Sequence, residues 1–119
     1  MTSRVLAIAL DCHDPEPLAR FWCAALGYAV VKRWTDAHGV EYLELAADGE
    51  PMLLLQPVGE DKVVKNRMHL DLEPRTGGQR EEVERLVGLG ARVVSDEPEF
   101  PWIVLADPEG NEFCVLPRS

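Results

Sequence analysis

Cysteine is scarce in this 119-residue chain and never paired as CxxC: Cys12, Cys23 and Cys114 stand far apart and are odd in number. Free thiols in a reducing compartment fit that pattern better than a disulfide framework. Serine is equally sparse. Ser3, Ser95 and Ser119 form no spaced set with His and Asp of the kind a nucleophilic triad needs. Long apolar runs are missing too, and a membrane-spanning helix needs about 20 such residues. The N-terminal run VLAIAL has six, with Asp11 and Asp14 close behind and no small-residue cleavage site, so a secretory leader is not expected. Positive charge is in deficit, with 12 Lys and Arg against 21 Asp and Glu and a net charge of −9. Such a chain repels phosphate backbones, which argues against a nucleic-acid partner. The glycine pairs at 77–78 and around 88–90 match no phosphate-loop pattern. The expectation is a cytoplasmic protein with neither a membrane nor nucleic acid as partner.

What is present is an apolar fraction of 46%, ordinary for a soluble domain with a modest core. The chain also repeats itself. Shifted by 60 residues, Leu10-Asp11 falls on Leu70-Asp71, Leu45-Ala46 on Leu105-Ala106, Tyr42 on Trp102 and Pro57 on Pro117. Between these anchors the shift grows to 63, where LGYAVV (26–31) matches LGARVV (89–94). Two copies of one unit follow. RVLAIAL and RMHLDL predict first strands by their apolar, β-rich pattern. In copy one Asp14 is an N-cap, Pro15 opens a helix, Leu18, Phe21, Trp22, Ala25 and Leu26 recur at helical spacing, and Gly27 stops it. In copy two GGQREEVERLVGLG places Val83, Leu86 and Val87 on one face and stops at Gly90. Three strands close each copy: YAVVKRW, EYLELA and MLLLQPV, then RVVSD, WIVLA and EFCVLP. The predicted fold is α+β, two βαβββ modules at 1–58 and 67–119 joined by a polar linker at 59–66.

Strand alternation then assigns faces. Leu6, Ile8, Leu10, Leu43, Leu45, Leu53, Leu55, Met68, Leu70, Leu72, Ile103, Leu105, Phe113 and Val115 should face the helices. The other face collects Ala9, Asp11, Tyr42, Glu44, Leu54, Gln56, His69, Asp71, Trp102, Glu112 and Cys114. Aromatic, acidic and aliphatic groups together suit the wall of a ligand pocket, or ordinary sheet-to-sheet core. Asp11 and Asp71, at matching positions, suit either a cation or hydrogen bonds to neighbouring turns. Asp107-Pro108-Glu109-Gly110-Asn111 is turn chemistry. His13 and His38 fall in turns, as surface residues.

The paired modules, LDCHDPEPLARFWCAALGY (10–28), NRMHLDL (66–72) and DPEGNEFCVL (107–116) together resemble the vicinal oxygen chelate superfamily: glyoxalase I, extradiol dioxygenases and bleomycin-resistance proteins. The resemblance covers essentially the whole chain and implies the fold far better than the reaction. The superfamily's metal enzymes draw ligands from the first and last strands of each unit. Carried over, those positions fall on His69 and Cys114 in copy two, and on Ala9 (Ile8 in a register one off) and Leu54 in copy one. A hard divalent metal needs more oxygen or imidazole donors than these offer, even if Glu112 and Gln56 assist. The expectation is therefore no metal and no cofactor. The implied function is a small-molecule binding protein of the bleomycin-resistance kind, sequestering a planar and possibly cationic compound. Tyr42, Trp102 and Trp34 would stack on it, Glu44, Glu112 or Asp71 would meet its charge, and Leu54, Gln56, His69 and Cys114 would line the wall. The alternative is an enzyme on the same scaffold: a metal-dependent lyase, isomerase or dioxygenase, or a metal-free one with His69 as general base. A third possibility is a regulatory or structural module with no ligand. Family members of this length commonly pair, so a homodimer is expected.

Overall fold

In the computed structural model, which describes residues 1–119, the chain divides into two compact units, Met1–Asp61 and Lys62–Ser119. The first runs β1 (Ile8–Cys12), α1 (Pro15–Leu26), β2 (Ala29–Thr35), β3 (Glu41–Ala46) and β4 (Leu53–Pro57). The second runs β5 (Asp71–Leu72), α2 (Gln79–Leu89), β6 (Arg92–Ser95), β7 (Ile103–Ala106) and β8 (Glu112–Val115). Each unit forms one four-stranded sheet, ordered β1-β4-β3-β2 and β5-β8-β7-β6, with its first strand parallel to its last. This is the paired βαβββ architecture expected from the repeat.

Local chemistry explains the helices. Asp14 caps α1, its Oδ1 accepting from the Glu16 N–H at 3.4 Å, and Pro15 supplies a preset φ where no N–H is needed. Gly27 ends the helix at φ 72°, a left-handed conformation that glycine adopts without strain. Leu18, Ala19, Phe21 and Trp22 are buried, the last two ring edge to ring face at 5.1 Å. In α2 the Gly78 N–H donates to the Glu81 carboxylate at 3.1 Å, and Gly90 ends the helix. Leu86 is buried as expected, but Val87 is 43% exposed. Val87 lies about 100° around the helix from Leu86. The inward stripe instead follows half-buried Gln79 and Val83 and buried Leu86. Gln79 turns inward, its Nε2 donating to the carbonyls of Val115 at 2.8 Å and Pro101 at 2.7 Å.

The helix-facing layer is as predicted for the central strands. Leu43, Leu45, Leu53, Leu55, Ile103, Leu105, Phe113 and Val115 are all buried. The first strands differ. The sequence puts Leu6 and Met68 on the helix face, yet they are 69% and 81% exposed. Register gives the reason. Ile8 pairs with Leu53, the first residue of β4, so Leu6 lies beyond the partner's end. Asp71 pairs with Cys114, so Met68 lies opposite Asn111, before β8 begins. With no ladder to hold them, these residues leave the sheet.

Register also corrects the repeat. Ala9 faces Leu54 across the parallel ladder of the first unit, and Asp71 faces Cys114 in the second. Since Leu54 and Cys114 are 60 apart, the counterpart of Asp71 is Ala9 and not Asp11, and that of His69 is Ala7. The shift is 62 in the first strands. It is 63 in the second, where matching irregularities fall between Val30/Lys32 and Val93/Ser95. It is 60 in the last two, where Leu43–Leu55 matches Ile103–Val115.

The turn at 107–111 closes on itself. Asp107, buried, accepts through Oδ1 from the N–H groups of Glu109 at 2.8 Å and Asn111 at 3.0 Å, and its Oδ2 from Asn111 Nδ2 at 3.1 Å. Asp107→Ala strips partners from buried donors and is expected to cost about 1–3 kcal/mol of stability, read from the urea midpoint at unchanged m-value.

Candidate functional site

The second unit brings three chemically active side chains together. Residues two apart in an extended segment share a side, so His69 and Asp71 point the same way. The parallel pairing sets Cys114 opposite Asp71, and the Cys114 N–H donates to the Leu70 carbonyl at 2.9 Å. His69 Nδ1 lies 3.3 Å from Asp71 Oδ1, and donor atoms of His69, Asp71 and Cys114 all fall within 4.8 Å of one another. Cys114 is buried at 6% exposure, whereas His69 and Asp71 are exposed. Burial pushes the Cys114 thiol up, and the Asp71 carboxylate adds to this by its charge and by a hydrogen bond, against a smaller opposing pull from Lys65. At neutral pH Cys114 is a thiol and a poor nucleophile.

Glu112 shares this side of β8, but it is occupied. Its carboxylate accepts from the Asn66 N–H at 2.9 Å and from Lys62 Nζ at 3.1 Å, holding the segment before β5. Asn66 Nδ2 also donates to Asn111 Oδ1 at 3.3 Å. Burial raises the Glu112 pKa, but the Asn66 N–H and the Lys62 ammonium outweigh it, and the net shift is downward. Nothing in the sequence marks Lys62 and Asn66 as its partners.

In the first unit the site is aromatic. Trp34 and Tyr42 are direct cross-strand neighbours on β2 and β3, stacked with centroids 4.1 Å apart and planes 9° from parallel. Trp34 Nε1 donates to Glu44 Oε2 at 2.7 Å, and the Tyr42 hydroxyl donates to Asp36 Oδ2 at 3.0 Å. Asp36 Oδ1 accepts from the N–H groups of His38 and Val40, so one carboxylate shapes the β2–β3 turn and fixes the tyrosine. Those bonds, the Val40 N–H first, hold Asp36 below the usual carboxylate range, and Asp36 in turn raises the Tyr42 phenol. Leu54 stands between Ala9 and Glu44 in the ladder, and Gln56 opposite Asp11. Both are half-buried.

Trp102 occupies the repeat position of Tyr42 but precedes β7 and is 39% exposed. It stacks on Phe100 at 5.0 Å and 10°. Sequence reasoning passes over Phe100 and Asp36; the signal for Phe100 is its spacing from Trp102 in EFPW.

The oxygen-chelating metal of the superfamily does not fit these residues. By the register, its positions in the first unit fall on Ala7 and Leu54, which carry no donor atoms. In the second they fall on His69 and Cys114. One imidazole and one thiol do not hold a hard divalent ion.

Two such units define a vicinal oxygen chelate protein. The chain belongs to the glyoxalase-like domain family, whose profile matches residues 7–116. No curated protein matches it. Among solved structures it is similar to a point mutant of the fosfomycin resistance protein FosX of Listeria monocytogenes complexed with Mn(II) and 1S,2S-dihydroxypropylphosphonic acid: 16% identity, 100% of this chain and 95% of that one, TM-score 0.79. It is also similar to the trypanothione-dependent glyoxalase I of Leishmania major (15% identity, 97% and 86% coverage, TM-score 0.71). A glyoxalase-related enzyme from Fulvimarina pelagi matches at 23% identity, 97% and 88% coverage and TM-score 0.67. Identities this low establish a shared fold and no more.

A depressed folded-state pKa contributes stability above the unfolded value and loses it as pH falls through the folded one. The Glu112 anchor is therefore fully present above the ordinary value of 4.5 and weakens below it. Glu112→Gln is expected to lower stability at neutral pH and to flatten the loss as the pH falls below 4.5, measured by urea melts on either side of that value.

Proposed function

We propose that this protein binds and sequesters a planar, cationic small molecule without metal catalysis, in the manner of the bleomycin-resistance branch of its superfamily. The observation that carries this reading is the Trp34–Tyr42 stack with the Glu44 carboxylate beside it. A half-buried aromatic face next to a carboxylate attracts a flat cation by stacking and by charge. The lack of donor atoms at Ala7 and Leu54 supports binding over metal chemistry. Leu54 and Gln56 lie on the same sheet as the stack, and the second unit carries an aromatic surface of its own in Phe100 and Trp102. The setting is a cytoplasmic one, in which the three thiols stay reduced.

Tryptophan quenching by planar heteroaromatic cations, ethidium and acridine orange among them, tests this. Binding is expected, and Trp34→Ala should weaken it by about tenfold. Because Trp102 is partly exposed, its replacement should cost far less than the about 3–5 kcal/mol of a buried aromatic. No quenching by any probe up to about 1 mM counts against the proposal, since affinity is then weaker than about 4 kcal/mol.

A second reading rests on His69. With Nδ1 held by Asp71, its Nε2 is free to act as a general base, as in a metal-free enzyme of this fold. Turnover abolished by His69→Ala, with dye binding intact, would favour it.

A homodimer belongs to the same proposal. Each unit leaves apolar side chains in solvent, Val5 and Leu6 in the first and Val63, Val64 and Met68 in the second, and a second copy would cover such groups. Sedimentation velocity at micromolar concentration is expected to give twice the chain mass, and Met68→Lys to shift it toward monomer.

A further inference from the structure

We infer that the second unit carries a site for a thiophilic divalent metal of the Zn(II) class, built from His69, Asp71 and Cys114. The expectation of no metal counts only the superfamily's own positions. Asp71 is not one of them, and it completes a three-donor set.

The argument is geometric. Zinc binds thiolate at about 2.3 Å and imidazole or carboxylate at about 2.0–2.2 Å, which sets donor separations near 3.3–3.8 Å in a tetrahedron. His69 Nδ1 and Asp71 Oδ1 already stand 3.3 Å apart, and no pair in the trio exceeds 4.8 Å. Closing the remaining gap takes rotamer changes in His69 and Asp71, both exposed, around a fixed Cys114. The backbone beneath is hydrogen-bonded on both sides of the pair. Asp71 and Cys114 are direct partners in the ladder, and hydrogen bonds from Cys114 N–H to Leu70 and from Leu116 N–H to Leu72 bracket the pair.

Donor chemistry selects the metal. Thiolate and imidazole favour Zn(II) and Co(II) over Mn(II) and Mg(II), which prefer oxygen. Binding requires the Cys114 thiol to lose its proton, so one proton is released for each metal bound. Three protein ligands leave a fourth position for water or a small-molecule donor atom.

Titration of the reduced, EDTA-treated full chain with Co(II) tests the site, free of any question about the organic ligand. The expected result is one Co(II) per chain, a near-ultraviolet sulfur-to-cobalt charge-transfer band, the intense visible bands of tetrahedral Co(II), and bleaching of both by Zn(II). Cys114→Ser should abolish the charge-transfer band. His69→Ala and Asp71→Asn, at exposed positions that leave folding intact, should each weaken binding at least about tenfold. Release of one proton per Zn(II) should appear in weakly buffered solution with a pH indicator. No Co(II) or Zn(II) binding at micromolar concentration overturns the inference. So does a charge-transfer band that survives Cys114→Ser, which would place the metal on Cys12 or Cys23, and so does Mn(II) binding of equal strength.

Discussion

The parallel pairing of first strand with last is the interaction on which each unit depends. It joins segments more than 40 residues apart, and it closes the unit by placing β1 beside β4 and β5 beside β8. Because side chains alternate, this one register decides at once which residues meet the helix and which line the opposite face. In the second unit it sends Leu70 and Leu72 inward and stands Asp71 against Cys114. A slip by one residue would bury Asp71 under α2 and turn Leu72 toward the site.

Much of this was legible in the chain. Leu43, Leu45, Leu53 and Leu55 and their counterparts Ile103, Leu105, Phe113 and Val115 announce the buried layer by alternation. Asp14-Pro15 and Gly27 announce both ends of α1. The chemistry is local in each case: a cap, a preset φ, a positive φ. What was not legible depends on partners distant in sequence. The ends of the first strands are set by where β4 and β8 begin, so Leu6 and Met68 read as core and are not. The two-residue shift in β5 is likewise invisible without the ladder, which is why Asp71 seemed the twin of Asp11.

The candidate site divides the same way. Alternation singles out Tyr42 and Glu44, and Trp34 enters only as a further ring for a ligand; that the two rings stack on each other is not legible. Glu112 was read as facing a ligand and is held by Lys62 and Asn66. A carboxylate on a strand looks the same in sequence whether it is free or tied to a loop 46 residues away. The closeness of His69, Asp71 and Cys114 follows from the two-residue spacing of His69 and Asp71 where the chain enters β5 and from the register of β8 beside it, and only the spacing is written in the chain.

The placement of the aromatic rings makes the molecule its own spectrometer. Trp22 is sealed in the core of the first unit, Trp34 lies against a tyrosine, and Trp102 is the sole indole of the second unit. Two nearly parallel stacked pairs, one per unit, are fixed chiral arrays that rotate near-ultraviolet light. Emission and dichroism therefore resolve the melting of each half of the chain without any label.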